Sequence, residues 1–302
     1  QIGNSRFRMQ SYAAFGESSY SLTPRLTATL GLRYTYEHKE GSYATQVSGG
    51  PDLSTLAPSV AAELRRAQLT IFRPQSYTAQ DDGGSLSGRA NLAFAMTDEL
   101  MAYASYAYGY KSGGLNMSGL PLDAQNQPAL ATAVIEDETH RAYEVGVKST
   151  LFAGRATFNL AAYRTTVENY QANIVSSLET AAIRSYPSNI PEVRVQGVEA
   201  DLATRPFEGL TLRASVAYAD GKNVDYAQGP CPLEVQTAAT MACDLTGARL
   251  AGLSRWATTL GADYRRSLGS GASLSSIRLQ TASKTRVATI PASRPAIRLN
   301  GL

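Results

Sequence analysis

The sequence predicts an all-β protein, an antiparallel transmembrane β-barrel of the outer-membrane type. Three observations support this prediction. Apolar and polar residues alternate along several segments of about 10 to 15 residues, which is the pattern of a strand with two unlike faces. Short turns and long polar connections follow one another in alternation. Tyrosine is unusually common, with 17 residues against 7 phenylalanines and a single tryptophan in a chain of 302 residues.

The clearest strand runs from Leu26 to Tyr36. One of its faces is apolar and ends in tyrosines, whereas the other is small, polar and charged. The first face carries Leu26, Ala28, Leu30, Leu32, Tyr34 and Tyr36, and the second carries Thr27, Thr29, Gly31, Arg33 and Thr35. An alternation of this length predicts a strand that is apolar toward lipid and polar toward a lumen.

The same two-faced pattern recurs in four later segments. Their apolar positions are Tyr143, Val145 and Val147; Val198, Ala200 and Leu202; Leu210, Leu212, Ala214, Val216 and Tyr218; and Trp256, Thr258, Leu260, Ala262 and Tyr264. The opposite faces direct charges toward the interior, where we expect them to contact water or a plug: Arg33, Glu144, Lys148, Glu199, Asp201 and Arg213. FNLAAYRTTVENY and YASYAYGYK alternate less regularly, so the facing of their residues stays open.

The connections predict a sheet with two unlike ends. Short turns are expected at Thr23-Pro24, Thr97-Asp98, Ala153-Gly154, Phe207-Glu208-Gly209 and Gly269-Ser270-Gly271. Long connections are expected at 41–85, 117–139, 176–192 and 226–251. Outer-membrane barrels have tight periplasmic turns and long external loops, so any ligand contact should come from these four long connections.

A soluble β-sandwich or an extracellular solenoid is the alternative fold. The predicted strands are longer than the five or six residues usual in soluble sheets. A packed core would also not tolerate unpaired inward charges such as Arg33 and Glu199. In lipid, by contrast, every backbone group must be paired within a closed sheet, and tyrosine is favoured at the headgroup level.

Other classes of protein are disfavoured by composition. The net charge is only +3 and no block of Lys or Arg stands out, so nothing indicates nucleic acid. No apolar run approaches the roughly 20 residues of a membrane-spanning helix. The start, Gln1-Ile2-Gly3-Asn4, does not resemble a signal peptide, so we expect either a mature chain or a fragment.

Enzymatic chemistry has little support, and no cofactor is expected. No Gly-x-Ser-x-Gly elbow is present, and His38 and His140, far apart in the chain, are expected to be solvated surface residues. Glu136-Asp137-Glu138 is interpreted as a solvated acidic run, with a hard-cation site as the alternative. Cys231 and Cys243 lack the spacing of a zinc site, so a disulfide that closes a loop is expected.

The stretch YASYAYGYKSGGLN, from Tyr103 to Asn116, combines a tyrosine-rich strand with a glycine-rich exit. Its tyrosines should populate the membrane face and the outer interface. The stretch resembles the β-barrel region of TonB-dependent outer-membrane receptors. The residues that carry the resemblance are Tyr103, Tyr106, Gly109, Tyr110, Lys111, Ser112, Gly113, Gly114 and Asn116. Lys111 and its glycines are interpreted as a structural exit into a loop.

Further segments resemble the same family in the same order. YEVGVKSTLFAGRATFNLAAY contributes Tyr143, Glu144, Gly146 and Lys148; VQGVEADLATRPFEGLTLRASVAYAD contributes Gly197 and Glu199; and a Cys-bearing loop leads into the strand of Trp256. YSLTPRLTATLGLRYTYE is similar to an earlier hairpin. The resemblance implies about ten strands of a 22-stranded barrel.

The resemblance also implies what surrounds this chain. Residues 1–302 are expected to be an incomplete barrel region that lacks the plug domain, the TonB box and the closing strands, because the chain ends in RPAIRLNGL without a terminal aromatic residue. Its expected location is the outer membrane of a Gram-negative bacterium. The implied partners are the TonB-ExbB-ExbD complex, acting through the missing plug, outer-membrane lipid and lipopolysaccharide, and a small-molecule or metal-chelate ligand.

The implied function is active uptake of a scarce nutrient. An iron-siderophore complex is the preferred cargo, and vitamin, sugar or metal cargo stay open; the ligand-contacting residues are unknown. Two other hypotheses remain: a passive outer-membrane porin or structural barrel, and a secreted soluble β adhesin.

Overall fold

The computed structural model describes residues 2–50, 52–72, 74–123, 125, 127–175, 185–232, 242–268 and 272–275. Long antiparallel strands dominate it, as the alternating sequence pattern predicts. In chain order the elements are β1 (Ile2–Thr23), β2 (Leu26–Gln46), α1 (Pro58–Phe72), β3 (Ser76–Ala95), β4 (Leu100–Lys111), β5 (Gly114–Leu115), a 3-10 turn (Leu130–Thr132), β6 (Val134–Ile135), β7 (Glu138–Leu151), β8 (Ala156–Val175), β9 (Ser185–Thr204), β10 (Leu210–Asp225), β11 (Gly229–Pro230), β12 (Ala242–Cys243), β13 (Trp256–Leu268) and β14 (Ala272–Ser275).

Ten of these strands form one sheet in the order β1-β2-β3-β4-β7-β8-β9-β10-β13-β14. Every neighbouring pair in it is antiparallel. The remaining four strands form two small hairpin sheets within the long connections, β5 with β6 and β11 with β12. The predicted antiparallel arrangement of about ten strands is therefore confirmed.

The short turns lie at one end of the sheet, where they were predicted. They comprise residues 24–25, 96–99, 152–155 and 205–209, and the expected turn at Gly269-Ser270-Gly271 lies outside the described residues. Gly154 and Gly209 have φ angles of 84° and 85°, a left-handed backbone that glycine adopts without a steric cost. These two glycines therefore allow the chain to reverse tightly.

The first long connection is shorter than the sequence predicts. The expected connection 41–85 is reduced to 47–75, because β2 continues to Gln46 and β3 already begins at Ser76. The strands on either side extend past the apolar band. There the outer face is polar and the inner face mixes the charged Lys39 and Asp81 with Tyr43 and Tyr77, so the alternation that marks a strand is lost. Helix α1 lies within this connection, and no helix in the described parts of the chain is long and apolar enough to cross a membrane.

The three other connections are also shifted. The expected loop 117–139 spans 112–137 and contains β5, the 3-10 turn and β6. In the expected loop 176–192, β9 already begins at Ser185, and residues 176–184 lie outside the described residues. The expected loop 226–251 extends to the start of β13 at Trp256.

Strand register separates the side chains into two faces as predicted. Leu30, Val145 and Leu260 share the outer face and are 56%, 58% and 47% exposed. An exposed apolar band this extensive would favour aggregation of a soluble protein, whereas lipid solvates it. The few fully buried side chains lie mainly toward the loop end.

Aromatic residues border the apolar band on its loop side. Outer-face rings pair across neighbouring strands, Tyr106 with Tyr143 at 5.0 Å between centroids and Tyr218 with Trp256 at 4.8 Å. This belt fits an interfacial position, where an amphipathic ring contacts both lipid and water. Tyr103 differs from the sequence expectation, because register places it on the inner face, opposite Gly146.

Candidate functional site

The inner face carries several of the residues by which the sequence resembles a family. The Tyr103 hydroxyl donates a hydrogen bond to the Glu144 carboxylate at 2.6 Å, and the Lys148 ammonium lies 5.4 Å from the centre of the Tyr103 ring. A Cβ atom at Gly146 would lie 2.7 Å from Tyr103 ring atoms and 2.7 Å from the Leu160 carbonyl oxygen. Glycine at position 146 therefore lets the tyrosine ring lie against the neighbouring strand.

The same arrangement occurs two strands away. Tyr163 on β8 is directly opposite Gly197 on β9, and its hydroxyl lies 2.7 Å from where a Gly197 Cβ would be. Glu199 lies two residues further along the same inner face. The motif glycines at 146 and 197 thus have one physical role, to make room for an inward tyrosine beside a carboxylate.

Other inner-face charges are mostly paired within the wall. Arg89 donates two hydrogen bonds to Glu17, at 2.7 and 2.8 Å. Ser215 donates to Asp201 at 2.5 Å. The Arg33 guanidinium lies 5.7 Å from the Phe15 ring centre. The inner face is therefore a polar wall of both charge signs, which requires water or a polar occupant.

At the loop end, Lys111 and the following residues are held by a buried carboxylate. Glu138 is only 2% exposed and lies 3.0 Å from the Lys111 ammonium and 3.3 Å from His140 Nε2. It also accepts a hydrogen bond from the backbone N–H of Gln171 at 2.7 Å. The expectation of a solvated acidic run is thus wrong at Glu138, because the fold returns the loop end onto β7 and β8. His140 keeps 35% of its side chain exposed, so its expected solvation stays a prediction.

Asp137 fixes the glycine exit itself. It accepts hydrogen bonds from Ser85 Oγ at 2.7 Å and from the Gly113 N–H at 2.6 Å. A Cβ at Gly113 would lie 2.9 Å from the Glu136 carbonyl carbon and 3.0 Å from the Asp137 nitrogen, so only glycine fits. Ser112 Oγ hydrogen-bonds to Glu37. The predicted structural role of the exit is therefore consistent with these contacts.

A buried lysine lies beside this exit. The Lys39 ammonium is 3.2 Å from both Glu37 and Asp81, and its side chain is 4% exposed. Burial disfavours its charged form, but hydrogen bonds to Asp81 and Glu37 outweigh burial and raise the pKa of Lys39. We call the group Glu37, Lys39, Asp81, Lys111, Asp137, Glu138 and His140 the mouth cluster.

Apolar packing completes the attachment of segment 112–137. Tyr77, Leu120 and Ala133 are buried against one another, with Tyr43 beside them. The Tyr77 hydroxyl donates to the Asn116 carbonyl at 2.7 Å, and Gln75 makes two hydrogen bonds with the Leu120 backbone. Burial raises the pKa of Tyr77 to about 12. Segment 112–137 is thus a folded structure seated against the inner face of β2 and β3.

The remaining motif residues lie apart from the mouth cluster. Tyr106, Tyr110, Tyr143 and Trp256 lie on the outer face by register. A side chain at Gly109 or Gly114 would meet open space. His38 faces outward, 3.2 Å from Asp82, and both side chains are well exposed, as expected for a surface histidine.

The long connection after β10 contains a disulfide between Cys231 and Cys243, which closes a loop of sequence separation 12. Within the described residues, no group of three or more His, Cys, Asp or Glu side chains is placed to hold a metal ion. Sequence reasoning missed the mouth cluster as a unit. The only signal in the sequence was that Glu37, Lys39 and Asp81 are charged and occupy the alternate positions that belong to the inner face of their strands.

Comparison with known proteins gives one family. The model of the TonB dependent receptor-like β-barrel matches residues 2–293.

Among solved structures, the ferric yersiniabactin uptake receptor FyuA from Yersinia pestis is 16% identical with a TM-score of 0.63, covering 90% of this chain and 34% of that one. The siderophore receptor PiuA from Acinetobacter baumannii is 18% identical, TM-score 0.54, covering 85% and 31%. The copper transporter OprC is 14% identical, TM-score 0.57, covering 85% and 32%. The chain thus spans about a third of the length of these structures, and the likeness shows a shared fold.

Proposed function

The chain belongs to the family of TonB-dependent receptor β-barrels of the Gram-negative outer membrane, and from that membership we propose that it is part of a receptor for energised uptake of an iron-siderophore complex. The observation that carries the proposal is the family match over residues 2–293. In this family the barrel serves a transporter or receptor and not an enzyme.

The inner wall is compatible with a protein domain inside the barrel, as an energised route requires. Glu17, Arg89, Tyr103, Glu144 and Lys148 form a polar surface of mixed charge, which suits a polar protein domain within the barrel. We propose that this domain is a plug on which TonB, driven by ExbB and ExbD, exerts force. A passive porin is the competing function, since water alone would also solvate such a wall.

The loop end supports ligand capture from outside. The mouth cluster holds segment 112–137 over the inner face, so a polar surface built from a folded connection lies at the mouth. The siderophore cargo itself is proposed by analogy, because one of the three similar structures is described as a siderophore receptor and another as a ferric yersiniabactin uptake receptor.

The test uses the full-length receptor, expressed in a host that lacks its own receptors of this class, with and without TonB. Ferric complexes of catecholate, hydroxamate and phenolate siderophores, loaded with radioactive iron, are the probes. We expect uptake of one class that depends on TonB. Uptake that proceeds equally without TonB would favour a pore. If none of the three probes is taken up in a TonB-dependent way, the siderophore cargo is rejected.

A further inference from the structure

A cavity lined by arginines lies at the short-turn end of the sheet. Its volume is about 770 Å³, and it is bordered by residues of two neighbouring short turns, of β10 and of β13. The arginines of its lining are Arg155, Arg205, Arg213 and Arg265. Pockets that bind small molecules have volumes of about 300 to 1,000 Å³, so this cavity is large enough for such a ligand.

The cavity belongs to the inner face of the barrel wall. Arg213 and Arg265 alternate with Leu212 and Tyr264, which lie on the outer face, so register places both arginines on the inner face. The short turns of an outer-membrane barrel lie on the periplasmic side. The cavity therefore lies at the periplasmic end of the lumen, at the opposite end of the sheet from the mouth cluster.

Backbone hydrogen bonds fix the segments that carry these arginines. The Arg205 N–H donates to the Arg155 carbonyl at 2.7 Å, and the Arg265 N–H donates to the Gly209 carbonyl at 2.8 Å. Gly209 has a left-handed backbone, and a Cβ atom there would overlap the Arg265 carbonyl oxygen. The turn 205–209 is thus held to the neighbouring turn on one side and to β13 on the other, so the arginines are arranged before a ligand binds.

The protein supplies little negative charge to this cavity. Its lining has two carboxylates, Glu208 and Asp263, and Asp263 lies 3.3 Å from Arg265. The three other arginines of the lining form no ion pair within the described parts of the chain. Four guanidinium groups and two carboxylates leave a net charge of +2 on the lining.

Unpaired arginines around a cavity favour an anionic ligand. On β9, Asp201 lies diagonal to Arg213 in register, but Ser215 already donates a hydrogen bond to this carboxylate at 2.5 Å. Like charges held close together repel one another, and a bound anion offsets that repulsion. The planar donors of a guanidinium group can bind two oxygen atoms side by side, and a catecholate presents such a pair of oxygens.

We propose that this cavity binds the ferric complex of a tris-catecholate siderophore as it leaves the lumen for the periplasm. The inference rests on the proposed uptake function and names its substrate class. One ferric ion with three catecholate dianions forms a trianion, which matches the positive lining. A ferric tris-hydroxamate has no net charge at its metal centre, so unpaired arginines do not favour it.

The test uses the purified full-length receptor with a fluorophore, quenched only at short range, attached to Phe207→Cys. Phe207 lines the cavity and is 58% exposed. A ferric tripodal tris-catecholate is the quenching probe, and a ferric tris-hydroxamate and inorganic pyrophosphate are the competitors. The variant Arg205→Gln/Arg213→Gln removes two unpaired cations. Arg25→Gln is the matched control, because Arg25 lies in the short turn between β1 and β2, outside the lining and several strands away.

We expect saturable quenching by the tris-catecholate, with an affinity at least about tenfold lower in the glutamine pair, since a charge-assisted hydrogen bond contributes about tenfold or more in affinity. The control should stay within about twofold of the wild type, because distant exposed charges are screened. In SDS gels the glutamine pair should melt at or above the wild-type temperature, since it relieves like-charge repulsion.

Unchanged affinity in the glutamine pair, or an equal loss in the control, would overturn the proposal. A lower melting temperature of the glutamine pair would assign the arginines to barrel stability instead. Competition by pyrophosphate or by the tris-hydroxamate as tight as tris-catecholate binding would overturn the catecholate as the ligand. Binding is measured without TonB and without uptake, so a negative result rejects this site, whereas failure of the proposed uptake function is seen only in the transport experiment.

Discussion

The ring of Tyr163 on β8 occupies the space beside Gly197 on β9 that a side chain at position 197 would need, with its hydroxyl 2.7 Å from the place of a Cβ atom. The Tyr103 ring stands in the same relation to Gly146. Two of the motif glycines therefore exist for close packing on the inner wall, and not for turning the chain.

Gly197→Ala should destabilise the barrel by about 2 kcal/mol or more, because the new methyl group would overlap the Tyr163 ring and the Tyr218 carbonyl oxygen. The measurement is the temperature at which the folded band of the full-length receptor is lost in SDS gels. Gly109→Ala is the matched control, since it is also a motif glycine and a Cβ there meets nothing within 4 Å. Equal melting of the two variants would contradict the packing role.

Glu138→Gln should loosen segment 112–137 without unfolding the barrel. The carboxylate makes charge-assisted contacts with Lys111 and His140 while only 2% exposed, and such contacts contribute about 1.5 to 3 kcal/mol. Hydrogen exchange of the backbone amides in this segment should accelerate. Glu136→Gln is the control, because the hydrogen bonds of Glu136 involve its backbone. Should exchange in segment 112–137 be equally slow in both variants, the mouth cluster does not hold the segment.

Alkaline pH should release the same segment through Tyr77. Its folded-state pKa of about 12 exceeds the ordinary value of 10.0, mainly because burial disfavours the phenolate. A raised pKa means that the stabilisation is complete below pH 10.0 and is lost as the pH rises toward 12.

Absorbance at the tyrosinate band, compared between wild type and Tyr77→Phe, identifies this titration. The wild type should show one additional group that ionises near pH 12, and exchange in segment 112–137 should accelerate over the same pH range. If the difference spectrum shows ionisation near pH 10, Tyr77 is not buried beneath Leu120.

Spin labels can distinguish the two faces of the sheet in reconstituted vesicles. Outer-face labels replace Leu30, Leu212 and Leu260, and inner-face labels replace Thr29, Thr211 and Thr259. Oxygen should relax the first set more strongly, since it concentrates in lipid, and a water-soluble nickel complex should relax the second. Equal accessibility of both sets to the two reagents is incompatible with a membrane barrel.

The alternation of residues was sufficient to predict the sheet, its antiparallel order and the end at which the short turns lie. A strand with one face in lipid and the other in water must alternate, so Leu30 and Arg33 reveal their environments without a structure. The same logic failed beyond the aromatic belt. There both faces of β2 and β3 are solvated or covered by loops, so the strands continue to Gln46 and from Ser76 with no apolar face to mark them.

The sequence by itself thus determined the fold class, the facing of most strands and the family resemblance, because these depend on local periodicity and short motifs. Only the tertiary structure decided that Glu138 is buried against Lys111 and His140, that Tyr103 faces inward onto Gly146, and that Arg194 lies directly opposite Lys222. Each of these relationships joins residues on different strands or loops. Their proximity depends on register and on the path of the connections, which no local pattern encodes.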